Sequence, residues 1–516
     1  QRDLAIAYSP GVAIPCQEIE KDPSTVYKYT NKSNLVAVIS NGTAVLGLGD
    51  IGPAASKPVM EGKALLFKIF ADIDVFDIEI NEKDPDKFID VVKSISTTFG
   101  GINLEDIKAP EAFKIEKELV DQLDIPVMHD DQHGTAIISA AALLNALELV
   151  DKNIKDVKIV VSGAGAAAIA CTKLYMSFGA QLKNILMTDS KGVINKSREG
   201  LSKEKKYFAT SKKIDTLEQA MVDSDVFIGL SMANILSEKM LKTMSRDPIV
   251  FAMANPDPEI SYDKAMSVRN DIIFATGRSD LPNQVNNVLG FPFIFRGALD
   301  VRATKINEEM KKAAVVALAE LAKKPVPEQV NIAYDETKLN FGKDYIIPKP
   351  FDPRLISEIP PAVAKAAIDS GVAQEPITDW DKYTQILDER LGNNQKLIRI
   401  IHRRARKAKE KKLVFTEADH LDVLKAAQIC FEEKIAEPIL LGGKKIIEEL
   451  MESLDFNEDL QIIDPTDKAN KQLIEDYSSI LFKKLKRKGK TLDDVKRLLW
   501  GRDYFGSMMV ENGDAD

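Results

Sequence analysis

The sequence predicts an α/β protein of three parts: an α/β substrate domain over residues 1–135, a doubly wound dinucleotide domain of Rossmann type over 136–380, and a further α/β domain over 381–516. Three observations predict it. Short apolar runs bounded by turns alternate with helical stretches along most of the chain. One such run is followed by Gly163-x-Gly165-x-x-Ala168, which opens a helix. Near residues 380–395 the register changes, and strand-like runs begin again between charged helices.

Taken in order, residues 35–40 (LVAVIS) and the following Asn41-Gly42 predict a strand and a tight hairpin turn, with residues 45–50 as the partner strand. Residues 75–80 alternate like a further strand. Residues 136–150, rich in Ala and Leu, predict a buried helix that hinges the first two domains. Residues 157–161, 185–188, 226–230, 249–254 and 272–275 are apolar runs separated by helical segments, the pattern of a parallel sheet. Residues 300–322 predict one helix. Beyond it Pro325, Pro327, Pro348, Pro350, Pro353, Pro360 and Pro361 mark a looping tail. Residues 414–415, 438–441 and 460–463 predict the strands of the last domain.

Composition is that of an ordinary soluble protein: 516 residues, 45% hydrophobic and 29% charged. No apolar run reaches the roughly 18 residues of a membrane span. The opening Gln1-Arg2-Asp3-Leu4 is neither a signal nor a transit peptide, and without an initiator Met the natural protein is expected to begin upstream. Cys16, Cys171 and Cys430 are scattered and odd in number, which gives no disulfide framework or Cys zinc site and favours the reducing cytoplasm. A net charge of -9 excludes general nucleic-acid affinity. The one local exception is the basic run over residues 399–407. Leu397, Ile398, Ile401, Ala405 and Ala408 fit one apolar face there, so it reads as a solvated or subunit-facing amphipathic helix.

The glycine loop stands where a pyrophosphate needs it. Gly163 permits the tight turn, Gly165 lets backbone approach phosphate, and Ala168 allows close packing of helix on sheet. Asp189 ends the next strand, where an acid would bind a ribose hydroxyl. That acid suits NAD. Ser190 and Lys191, with Lys205 or Lys206 nearby, suit the 2′-phosphate of NADP, and the balance leans to NADP.

Two acid pairs, Glu105-Asp106 and Asp130-Asp131, each follow an apolar strand-like run. Strand ends are where active-site groups collect in α/β folds. Carboxylates gathered at one site repel each other unless a cation neutralises them, and hard oxygen ligands suit Mg or Mn. Taken singly, such pairs are turn or N-cap acids. His129 and His133 stand four apart, a zinc-like spacing, but the acids between them fit an oxygen site better, and both read as supporting groups.

Tyr8-Ser9-Pro10-Gly11-Val12-Ala13, Ile39-Ser40-Asn41-Gly42, Leu46-Gly47-Leu48-Gly49-Asp50, Glu61-Gly62-Lys63, Leu104-Glu105-Asp106, His129-Asp130-Asp131-Gln132-His133-Gly134-Thr135, Ala254-Asn255-Pro256-Asp257-Pro258-Glu259 and Gln284-Val285-Asn286-Asn287 occur in one order. Together they resemble bacterial malic enzyme over residues 1–380. The remainder, through Glu437-Pro438-Ile439-Leu440 and Asp503-Tyr504-Phe505-Gly506, resembles the first part of a phosphotransacetylase domain. The chain thus resembles the long hybrid form of that family, with a partial C-terminal domain that stops at Asp516. The resemblance implies oxidative decarboxylation of (S)-malate to pyruvate and carbon dioxide, with reduction of NADP or NAD. It also implies Mg or Mn on Glu105, Asp106 and Asp131, Lys63 as general base and Tyr8 as general acid. Asn255 and Asn286, with Asn287 adjacent, would hold the substrate carboxylate or the nicotinamide. A homo-oligomer and an acetyl-CoA effector at the last domain are implied as well. One departure is that Thr43-Ala44 stands where animal-type members carry an arginine, so the cation for malate's second carboxylate must come from elsewhere.

Two other readings are open to these residues. A metal-independent amino-acid dehydrogenase would not need the acids at 105, 106 and 131. A non-catalytic acetyl-CoA sensor would be expected to have lost Tyr8, Lys63 or a metal acid.

Overall fold

The structure, a computed structural model, describes every residue except 1, 46, 335–338, 391–404, 406–410, 433, 455 and 457. Apart from Ala405, the basic run at 399–407 lies outside the described residues, as does Leu46. The chain forms two compact units, Gln1–Leu391 and Gly392–Asp516.

The first unit opens with helices α1 (Arg2–Ala7) and α2 (Ala13–Lys21), then carries strand β1 (Leu35–Ser40). Helix α3 (Pro53–Ala71) and β2 (Asp74–Glu79) follow, then α4 (Pro85–Ile95), β3 (Gly101–Leu104), α5 (Glu111–Gln122) and β4 (Val127–His129). The four strands form a sheet in the order β2-β1-β3-β4, parallel throughout. All six residues of β1 are buried, as a central parallel strand covered on both faces requires. This overturns the predicted hairpin. Among the described residues of 45–50 there is no strand beside β1, and an isolated bridge joins Val45 to Gly49. Asn41-Gly42 does turn the chain (Gly42 φ 65°), but into the crossover that leads to α3.

Helix α6 (Asp130–Leu149) starts at once after β4, earlier than its alanine-rich stretch suggested. It is buried along most of its length and belongs to one apolar cluster running from Val36 and Val38 to Val161 and Leu318. Beyond it lie β5 (Ile159–Ser162), α7 (Ala166–Ser177), β6 (Ile185–Asp189), β7 (Gly192–Val193), β8 (Val226–Gly229), β9 (Ile249–Ala252) and β10 (Ile273–Thr276). The sheet order is β10-β9-β8-β5-β6-β7, and only the edge strand β7 is antiparallel. The order reverses at β5, which puts the ligand crevice of a doubly wound sheet at the C-terminal ends of β5 and β8.

The predicted helix at 300–322 is two helices, α8 (Phe291–Asp300) and α9 (Glu308–Lys323). The proline-marked tail is also more ordered than expected. Pro360 and Pro361 lie inside helix α10 (Leu355–Asp369), whose apolar face (Leu355, Ile356, Ile359, Val363, Ala367) is buried against α8 and α9. A buried face of that size outweighs the ~3 kcal/mol that a helical proline costs. Helix α11 (Trp380–Arg390) ends the unit.

In the second unit β11 (Lys412–Phe415), β12 (Glu437–Leu441) and β13 (Gln461–Ile463) form a parallel sheet in sequence order. Helices Leu421–Glu432 and Lys444–Ser453 make the crossovers. Arg502 holds Asp419 by two hydrogen bonds, at 2.6 and 2.7 Å. Among the described residues, no helix is long and apolar enough to cross a membrane.

Candidate active site

Register builds the site. Leu104 of β3 pairs with His129 of β4, so the residues that follow these strands emerge side by side at one sheet edge. Glu105, Asp106 and Asp130 are buried there, while the Asp131 side chain remains 40% exposed. Asp106 adopts a left-handed conformation (φ 54°), and its N–H donates to Asp131 Oδ2 at 2.8 Å. Glu105 accepts from Asn103 Nδ2 at 2.8 Å. Ligand oxygens of Glu105, Asp106 and Asp131 all lie within 4.8 Å of one another.

Burial, and then the charge of Asp131, push the Asp106 carboxyl up to about 7. Burial likewise lifts Glu105 well above the usual range, against the pull of Lys63. Asp106 Oδ2 is buried and has no hydrogen-bond partner among the described residues. An orphaned oxygen among crowded carboxylates fits a hard divalent cation, whose charge would remove the repulsion.

Lys63 reaches this cluster from α3. Its Nζ lies 2.7 Å from Asp130 Oδ2 and 2.9 Å from Glu105 Oε1, and 4.4 Å from the centre of the Phe291 ring. Phe67, one helical turn on, packs edge-on to Phe291 with centroids 4.7 Å apart, which fixes the face that Lys63 shares. Burial alone would lower the Lys63 pKa, but the charges of Asp130, Glu105 and Asp131 outweigh it and raise it. A neighbouring cation would lower the pKa of such a lysine, and the carboxylates alone act the other way.

Asp130 appears in the sequence only as a neighbour of Asp131, yet it is the closer partner of Lys63. It also accepts from Asn287 Nδ2 at 3.2 Å, and Asn287 Oδ1 accepts from Thr135 at 3.0 Å. Gly134 is required because a methyl there would overlap the Asp130 carboxylate. Asn286 turns away to accept from its own chain, at Val288 N. Behind the acids Glu116 accepts from His129 N at 2.8 Å and meets His133 Nε2 at 3.1 Å. Against its burial, the charge of His133 and its hydrogen bond hold the Glu116 carboxyl down to about 2. His133 thus meets Glu116, while His129 Nδ1 lies 3.7 Å from Asp131 Oδ2.

Tyr8 is not brought to this cluster. It lies in the turn between α1 and α2 with its side chain 71% exposed. Asn255 stands in the exposed loop after β9, beside Gly277.

The glycine loop lies at the switch point. Gly163 has φ 115°, and a side chain there would strike Leu230 O. Gly165 caps α7, and the space where its Cβ would stand is open, as a loop that cradles phosphate requires. Ala168 is fully buried between helix and sheet. Asp189 Oδ2 accepts from Arg198 at 2.9 Å and Lys205 at 3.0 Å, and Oδ1 accepts from Lys191 N at 3.0 Å. These donors outweigh its partial burial and hold the carboxyl far below the usual range. Ser190 and the Lys191 side chain are exposed. Arg198, which also donates to the Gly192 and Val193 carbonyls, carries no sequence motif and was missed.

Residues 1–120 match the family described as malic enzyme, N-terminal domain, and residues 132–337 match malic enzyme, NAD binding domain. Residues 396–516 match phosphate acetyl/butaryl transferase. The chain is 54% identical to the NADP-dependent malic enzyme of Escherichia coli, a match that covers 100% of this chain and 68% of that one. It is 48% identical to the NAD-dependent malic enzyme of Rhizobium meliloti, with coverage of 100% and 67%. Among solved structures it is similar to the malic enzyme of Pyrococcus horikoshii. That match has a TM-score of 0.70 and 40% identity, and covers 78% of this chain and 92% of the other.

Proposed function

From the premise that this chain belongs to the malic enzyme family, we propose that it converts (S)-malate to pyruvate and carbon dioxide, reducing NADP in preference to NAD and depending on Mg or Mn. The observation that carries this reading is the cluster in which Lys63 Nζ bridges Asp130 and Glu105 beside Asp106 and Asp131.

Glu105, Asp106 and Asp131 would hold the cation, which would supply Lewis-acid stabilisation of charge on substrate oxygen, and the Gly163 loop would hold the dinucleotide, which would supply the hydride acceptor. Lys63 takes the proton of the C2 hydroxyl. It does so as a neutral amine, once the charges of the neighbouring acids are offset. Asp130 orients it and stabilises the ammonium that results. The family resemblance nominates Asn287 for the substrate carboxylate, and its ties to Asp130 and Thr135 support a place beside Lys63. After carbon dioxide leaves, C3 takes a proton from a phenol, and Tyr8 is the donor that the family resemblance nominates. Proton removal from oxygen and delivery to carbon then balance over one turnover.

Tyr8 shares its segment with exposed Ile6, Val12 and Ile14. Such an apolar stretch supports a homo-oligomer whose second copy covers it. The cluster of Arg198 and Lys205 on Asp189 supports NADP. Two cations on one carboxylate leave positive charge for a 2′-phosphate and occupy the acid that would otherwise take the ribose hydroxyls of NAD. Residues 396–516 support acetyl-CoA as an effector. The scattered and odd-numbered Cys16, Cys171 and Cys430 support a cytoplasmic setting.

Titration with Mn(II), followed by electron paramagnetic resonance, tests the metal assignment. One tight site should be present in the wild type, and Asp131→Asn and Glu105→Gln should each weaken it tenfold or more. Unchanged binding in both variants would move the cation elsewhere.

A further inference from the structure

Glu259 is a buried carboxylate with no catalytic assignment. Its side chain is fully buried, and no cation pairs with it among the described residues. Instead Oε1 accepts from Ser231 N and Oε2 from Ala254 N, each at 3.0 Å. Those two amides belong to different loops, one after β8 and one after β9. The strands run in parallel register, with Gly229 opposite Ala252, so the two loops leave the same sheet edge side by side. The Ser231 hydroxyl in turn meets Ser162 Oγ at 2.8 Å, next to Gly163. Ala254 immediately precedes Asn255. Gly229 makes room for this arrangement, because a methyl at that position would overlap the Glu259 carboxyl. The Glu259 and Pro258 carbonyls accept from Leu236 N at 3.0 Å and Asn234 N at 3.1 Å, which anchor the residue's own backbone.

We propose that Glu259 is a positioning residue for the nicotinamide half of the dinucleotide, its carboxylate fastening the β8 loop to the β9 loop and thereby setting Asn255 against the phosphate loop. A carboxylate offers two acceptors to two converging N–H groups, which no neutral side chain of that length does. Glutamine would turn an NH2 toward one of them and leave a buried donor opposed by a donor. The proposal rests on the dinucleotide reading of the Gly163 loop.

The test uses the full chain and reads binding rather than turnover: titration calorimetry with NADP, with adenosine 2′,5′-bisphosphate, which lacks the nicotinamide, and with Mn(II). Glu259→Gln should weaken NADP at least tenfold while the bisphosphate and Mn(II) stay within twofold, a split that general loosening of the fold would not give. Gly229→Ala should reproduce the effect, and the double variant should be no weaker than the weaker single. Equal binding of NADP by wild type and Glu259→Gln overturns the proposal, as does multiplication of the two single effects. Wild type that binds no NADP overturns the dinucleotide reading itself. If Glu259→Gln fails to fold, amide exchange in the wild type decides. Slow exchange at Ser231 and Ala254, both outside the strands, supports the fastening role, and fast exchange refutes it.

Discussion

Removing the divalent cation should leave a folded enzyme that becomes more stable as the solution is acidified from pH 8 to 6. The Asp106 carboxyl is pushed from 3.8 up to about 7 by burial and by Asp131. Its pKa in the unfolded chain is the ordinary one, so between these values the folded state binds a proton that the unfolded state does not. Stability therefore rises as pH falls through 7, and the charge penalty is fully relieved only near the ordinary value. The whole interval corresponds to a ceiling of ~4 kcal/mol at about 1.4 kcal/mol per unit, shared with Glu105. The part between pH 8 and 6 is ~1.4 kcal/mol for one proton with its midpoint at 7. Unfolding entropy of about 2.1 cal/mol/K per residue across the Gln1–Leu391 unit gives roughly 0.8 kcal/mol per kelvin, so the melting midpoint should rise by ~2 °C. Calorimetry in EDTA measures it, with Asp106→Asn as the reference that removes this carboxyl and keeps every other titratable group. The variant should melt higher than wild type at pH 8 in EDTA, and the gap should narrow at pH 6. With saturating Mn the gap should reverse. A wild-type midpoint in EDTA that tracks Asp106→Asn across this range would refute the claim that the acids are crowded.

Lys63→Met should lower kcat by a factor of about 10² to 10⁴, the usual worth of a general base, while Mn(II) binding persists in electron paramagnetic resonance. Arg198→Gln should raise KM for NADP about tenfold and leave KM for NAD within twofold; equal loss for both would show that Arg198 merely braces its loop. Asp300→Ala should destabilise the first unit by roughly 3–5 kcal/mol in denaturant titration, because it strands the guanidinium of Arg296, which is 1% exposed and pairs with Asp300 and Asn34. A loss under 1 kcal/mol would mean that the ion pair is solvated.

The parts of this molecule legible in its sequence are those fixed locally. Gly163 announces the dinucleotide loop because its backbone tolerates no side chain, and Gly165 because the space beside it must stay open for phosphate. The runs that became β5, β6, β8, β9 and β10 are apolar because both faces of a parallel sheet are covered. Glu105, Asp106 and Asp131 were legible as a set because each follows such a run. Asn41-Gly42 misled because its turn chemistry is the same whether the chain returns as a hairpin or crosses over; the unbroken apolar run of β1 was the sign of a doubly covered strand. Pro360 and Pro361 misled because local propensity is a small term beside a buried helical face. Asp130 and Phe291 owe their roles to Lys63 far along the chain, and Arg198 and Glu259 to the way loops fold back on them, which no spacing rule marks.

The central claim is that one metal-dependent site performs both oxidation and decarboxylation. Its most direct test follows NADPH by absorbance at 340 nm in the presence of (S)-malate, NADP and Mn(II), with pyruvate and oxaloacetate quantified in the same samples. The account predicts NADPH and pyruvate in equal amounts, loss of both in EDTA, recovery with added Mn(II), and loss of both in Lys63→Met. Turnover that survives EDTA, or NADPH accompanied by oxaloacetate with no pyruvate, would contradict it.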